Sequence, residues 1–138
     1  MSETENKVPT FIRMISVVLF IFGLFAFFGS LFMWGEGFLL SFPEGADYTF
    51  PITDILINAP ASIFAAIGLW NLKRYGFAAA YFVAGFYIYA SVEIFVEVFQ
   101  GGPPFAVEIL VPQILAVIVA IVLIIYLWKK QELFFSRR

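Results

Sequence analysis

The sequence predicts an all-α, polytopic membrane protein: four transmembrane helices in an up-down bundle, with both termini in the cytoplasm. Composition is the first reason. Of the 138 residues, 62% are hydrophobic and 13% charged, against about 45–50% and about 25% in a soluble domain. Next, the apolar residues fall into four runs, each close to the roughly 20 residues that carry a helix across about 30 Å of hydrocarbon. Charge supplies the third reason. Lys7, Arg13, Lys73, Arg74, Lys129, Lys130, Arg137 and Arg138 all flank the same set of run ends. The opposite ends and connections hold Glu36, Glu44, Asp47, Asp54, Glu93, Glu97 and Glu108, and no base. Short loops rich in Lys and Arg stay in the cytoplasm, which sets the orientation. The expected location is the plasma membrane.

Residues 1–10 are polar and read as a disordered cytoplasmic tail. The first span covers about 11–34. Its apolar stretch of about 21 residues is longer than the core of a signal peptide, and no small-residue cleavage pattern follows, so it reads as a retained anchor. The connection that follows mixes Phe38, Leu39, Leu40 and Phe42 with Glu36, Glu44 and Asp47, a composition suited to the outer interface. Span two covers about 52–70. The turn at 71–74 is too short for anything but antiparallel neighbours, so span three, about 75–99, must run back beside it. A Gly-Gly-Pro-Pro run at 101–104 breaks the chain on the outer side. Span four, about 105–128, stops at Lys129 and Lys130. Spans one to four make a single transmembrane domain over 11–128. The cytoplasmic tail, 129–138, is expected to dip Phe134 and Phe135 into the headgroups beside Arg137 and Arg138. Trp70, Tyr75, Tyr126 and Trp128 form an aromatic belt at the cytoplasmic ends.

The chain has neither cysteine nor histidine. Thiol–disulfide chemistry, Fe–S clusters, bis-histidine haem, histidine-ligated zinc and a histidine general base are therefore excluded. With no nucleophile–base constellation to recognise, the chain is not expected to be an enzyme. Its basic residues only satisfy topology, so no nucleic-acid partner is expected.

Depth can be counted from the belt at 1.5 Å per residue. On that count Asp54 stands about 24 Å from Trp70, Asn58 about 18 Å, Glu93 about 27 Å from Tyr75, and Gln113 about 22 Å from Trp128. All fall in the outer half, which predicts an outward-facing acidic pocket. Tyr81, Gly85, Tyr89, Glu93 and Glu97 recur four apart on span three, and Asp54, Asn58 and Ser62 do so on span two. Polar stripes in lipid turn toward the bundle interior, so both are expected to face inward. Gly76, Ala80 and Ala84, with Ala61 and Ala65, offer close helix approach. Asp54 is expected near the start of its helix, where the dipole favours an anion, whereas Glu93 and Glu97 stand where it opposes them. Pro60 and Pro112 each remove a rung, at the carbonyls of Leu56 and Glu108.

Asp54, Glu93 and Glu97 are therefore the candidate site for a hard cation or a proton, supported by Asn58, Tyr89, Glu108 and Gln113. Such oxygen ligands suit Ca²⁺, Mg²⁺ or Na⁺; no other cofactor is implied. The function expected is that of a non-catalytic membrane accessory or interaction protein, in contact with lipids and with copies of itself or a membrane partner protein. The alternative is an oligomeric cation- or proton-linked transporter or sensor using these outer carboxylates.

Overall fold

A computed structural model describes residues 8–35, 49–101 and 107–135. Most of the expected tail at 1–10, the outer connection at 36–48, the Gly-Pro break at 102–106, the last three residues and the side chain of Glu108 lie outside the described residues. Regular structure among the described residues is all helical: α1 (Thr10–Gly35), α2 (Thr49–Thr53), a π-helical turn (Asp54–Asn58), α3 (Ala59–Trp70), α4 (Arg74–Phe99), α5 (Val107–Lys130) and α6 (Glu132–Phe135). Four stretches are long and apolar enough to cross a membrane: Thr10–Phe32, Pro51–Trp70, Arg74–Phe99 and Leu110–Lys130. Their outward faces carry rows such as Phe25, Phe28 and Phe32 on α1, and Ile114, Ile118, Ile121 and Ile125 on α5, all exposed. Apolar surface on this scale marks a membrane or protein contact.

Helix α1 packs on α3, α3 on α4 and α4 on α5. The Phe11 and Tyr126 rings, with centroids 4.2 Å apart, bring α5 back to α1. One core cluster unites Ile12 and Leu19 of early α1, Leu69 of late α3, Ala80 and Val83 of early α4, and Leu123 and Leu127 of late α5. Small residues let these helices close. Gly68 on α3 and Gly76 on α4 meet backbone to backbone, and a methyl at Gly23 of α1 would press on Ile63 and Ser62 of α3. Gly76, Ala80, Ala84 and Ala65 are all buried.

The end of α3 is a Schellman turn. The Lys73 N–H donates to the Gly68 carbonyl at 2.8 Å and the Leu72 N–H to that of Leu69 at 3.0 Å, the paired bonds that define the motif. Leu72 occupies the position usually given to glycine, with φ of 50°, and its side chain is buried in the core cluster.

Two expectations are corrected here. Phe134 does not enter a headgroup layer: it is 2% exposed, and α6 folds it back on α4, with its ring 5.3 Å from that of Phe77. A bond from the Phe134 N–H to the Gln131 carbonyl makes the reversal. Phe135 stays half exposed, with Phe77 on one side and the Arg74 guanidinium 5.6 Å from its ring centroid. The span-three stripe is the second. Gly85, Tyr89 and Glu93 are exposed, and the buried face of α4 carries Gly76, Ala80, Val83, Ala84, Tyr87, Ser91 and Ile94. Four residues make slightly more than one turn, so a strict four-residue stripe drifts by about 40° per step. Mixed steps of three and four hold a single face, and the buried set follows them.

Candidate functional site

The site begins at Pro60. Proline has no N–H to continue the helical ladder, and just before it the helix widens. The Ala59 N–H reaches back five residues to the Asp54 carbonyl, so that Asp54–Asn58 form a π-helical turn. Such turns recur at functional sites. Because α2 precedes this turn, Asp54 lies beyond the first helical turn, where the dipole effect has largely faded. The expected help from the helix N-terminus therefore gives way to side-chain hydrogen bonds.

Those bonds form a directed chain. The Asn58 Nδ2 donates to Asp54 Oδ1 at 2.8 Å. Ser62 Oγ donates to Asn58 Oδ1 at 3.0 Å. The hydroxyls of Ser62 and Tyr87 are 2.8 Å apart. Serine has one proton to give, and that proton is committed to Asn58, so Tyr87 donates to Ser62. From α1, Ser30 Oγ donates to Asp54 Oδ2 at a long 3.5 Å. Every donor in the chain thus points toward the carboxylate of Asp54. Ser30, Ser62 and Tyr87 are buried, while Asp54 and Asn58 are half-buried.

Asp54 and Asn58 open on a cavity of about 260 Å³ to which all four spans contribute. Phe22 and Phe25 come from α1, Phe86 and Tyr87 from α4, and Pro112, Gln113 and Leu115 from α5. Gln113 is held by Ser91, whose hydroxyl lies 3.1 Å from its Oε1 and 3.2 Å from its backbone oxygen. The walls are aromatic and aliphatic, with one acid and two amides set into them. A second, almost wholly apolar groove of about 300 Å³ lies between Ser16, Val17 and Phe20 of α1 and Ala66, Ile67 and Trp70 of α3.

The residues proposed from sequence are thus divided. Asp54, Asn58 and Gln113 meet at the cavity. Tyr89 and Glu93 stand on the exposed face of α4, the tyrosine hydroxyl donating to the Glu93 carboxylate. Glu97, one turn on, is half-buried. Among the described residues no three acids gather where a metal ion could be held.

Ser30, Tyr87 and Ser91 were not among the candidates. The signal for two of them was present: Tyr87 and Ser91 extend the small-residue face of Ala80 and Ala84 in steps of three and four. Ser30 carried none, being a single hydroxyl in an apolar run.

No protein-family model, curated protein or solved structure matches this chain.

Proposed function

We propose that this chain is a non-catalytic integral membrane protein, a cation- or proton-responsive sensor or carrier subunit whose binding residue is Asp54. One observation carries the reading: a carboxylate that accepts from Asn58 and Ser30 stands in a cavity shared by four apolar spans. Intramembrane acids are costly and cluster at ion and proton sites. A carboxylate held in such a cavity with no base among its lining residues is suited to a proton or a positive partner.

In the proposed topology the spans alternate up and down in the plasma membrane, and both termini are cytoplasmic. The charge bias across the run ends supports it, as does the core cluster that joins the start of α1 to the ends of α3 and α5. The cavity then belongs to the outer half of the bilayer.

Thermal unfolding of the purified protein in detergent tests the binding role. Wild type and Asp54→Asn would be compared from acidic to neutral pH, with and without Na⁺, Ca²⁺ and Mg²⁺. A bound ion at about 100 times its Kd adds roughly 2.7 kcal/mol. Stabilisation by acid or by a cation in wild type alone supports the proposal. Identical curves for the two proteins would end it.

The Tyr89–Glu93 pair favours a second role, that of an accessory subunit docked through α4. A polar pair on the exposed face of a span gains from a protein neighbour. The chain lacks native cysteine, so a Val92→Cys variant, at an exposed position beside the pair, reports that neighbour directly by cross-linking in membranes.

A further inference from the structure

Resting on the binding role of Asp54, we propose that the cavity takes a monovalent organic ammonium ion with a small aromatic or aliphatic body, and not a hard metal cation. Asp54 is the single acid among the residues that line it. Calcium takes six to eight oxygen ligands, several of them anionic, at about 2.3–2.6 Å. The two amide oxygens nearby each already accept a hydroxyl proton, Asn58 Oδ1 from Ser62 and Gln113 Oε1 from Ser91, and even with their second lone pairs they and Asp54 fall short of such a ligand set. What remains suits a cation that needs one counter-ion and tolerates apolar walls.

Those walls are specific. Phe22, Phe25, Phe86 and Tyr87 line the same cavity as Asp54, and an ammonium over an aromatic face is attracted by the ring quadrupole. Leu115, Ile21 and Ala116 offer apolar surface to the rest of the ligand. A volume of about 260 Å³ lies just under the roughly 300–1,000 Å³ of drug-sized sites, which limits the ligand to about one ring and a short amine arm.

The test uses the full chain in lipid nanodiscs and labelled phenethylammonium as probe, with binding to empty nanodiscs subtracted. Saturable binding is expected, at least tenfold weaker in Asp54→Asn and unchanged in Glu93→Gln. The neutral isostere 2-phenylethanol should compete at least tenfold less well than unlabelled phenethylammonium. Calcium chloride should compete no better than sodium chloride of equal ionic strength. Ala90 also lines the cavity, and Ala90→Leu, which fills it and leaves Asp54 in place, should lose the probe as well. It keeps the test decisive if Asp54→Asn fails to fold. Absence of saturable binding, equal binding by Asp54→Asn or Ala90→Leu, or displacement by calcium would each overturn the proposal. If the probe fails while Asp54-dependent stabilisation by protons or Na⁺ persists, only the ligand class is wrong. If both are absent, the binding role of Asp54 falls with it.

Discussion

Gly68 and Gly76 touch through their main chains: a methyl group on either would overlap the backbone of the other. This contact fixes how closely α3 and α4 approach and therefore where Tyr87 meets Ser62 farther along the same pair of helices. Rotating a side chain relieves neither clash, because the nearest obstructing atom in each case is backbone, the Gly76 Cα for Gly68 and the Gly68 carbonyl carbon for Gly76. Gly68→Ala and Gly76→Ala should each cost about 1–3 kcal/mol by overpacking. Gly23→Ala should cost less, since its nearest obstacle is the flexible Ile63 side chain at 2.8 Å. Gly29 and Gly85 have nothing within 4 Å of an added methyl, so alanine there should be neutral or stabilising by up to about 1 kcal/mol through helix propensity. Unfolding of the five variants in mixed micelles checks the order.

Leu72 should invert a familiar ranking. Its left-handed backbone costs a residue with a side chain roughly 1–2 kcal/mol that glycine does not incur. Leu72→Ala keeps this cost and loses the buried side chain, whereas Leu72→Gly loses the side chain and sheds the strain. The alanine variant should therefore be less stable than the glycine variant by about 1 kcal/mol. Equal stabilities in the same assay would show that the turn relaxes away from φ of 50°.

Tyr87 and Ser62 should be coupled across α3 and α4. A double-mutant cycle with Tyr87→Phe and Ser62→Ala isolates their bond, and interhelical bonds of this type average about 0.6 kcal/mol in membranes. Asp54→Asn in the same cycle should change that coupling, because the chain that runs through Ser62 and Asn58 ends on the carboxylate. An unaltered value would mean that the bonds act separately.

Phe134 should matter far more than its neighbour. Phe134→Ala removes a ring that is 2% exposed and should cost about 3 kcal/mol. Phe135→Ala, at 46% exposed, should cost under about 1 kcal/mol. Thermal unfolding of the two variants distinguishes a packed C-terminal turn from two equivalent interfacial anchors.

Orientation can be read chemically because the chain has no cysteine. Gln100→Cys and Gln131→Cys place single thiols at exposed turns that follow α4 and α5. In intact cells a membrane-impermeant thiol reagent should label the first, and it should reach the second only after permeabilisation. The reverse pattern would invert the proposed topology.

How much of this was legible in the sequence differs from one residue to the next. The four long helices follow from apolar runs long enough to cross a membrane, and hydropathy reads that directly. Asp54 and Asn58 were legible because a carboxylate and an amide four apart in an apolar run can only be costly or useful. Tyr87 was not: the four-residue spacing points instead to Tyr89, two residues on and about 160° around the helix. Hydropathy ranks the two tyrosines alike, and only the packing of Ala80 and Ala84 against neighbouring helices decides between them. Phe134 was misplaced for a related reason. A phenylalanine near a helix end is equally apolar whether it meets lipid or protein, and the reversal at Gln131 left no mark in the composition.

The π-helical turn gives the second span two angular phases. It holds one residue more than the α-helical turn it replaces, and one residue turns a helix by about 100°. Everything on the Thr49–Thr53 side is therefore rotated relative to the Ala59–Trp70 side. Pro60→Ala restores the missing N–H and would let the same residues close into unbroken α-helix. The span would remain within the roughly 17–25 residues that a crossing requires, and membrane insertion would proceed. Asp54, however, would be carried about 100° around the axis and off the cavity wall. Anchoring depends on a count of apolar residues that tolerates error, whereas the proposed recognition depends on a phase that a single substitution resets.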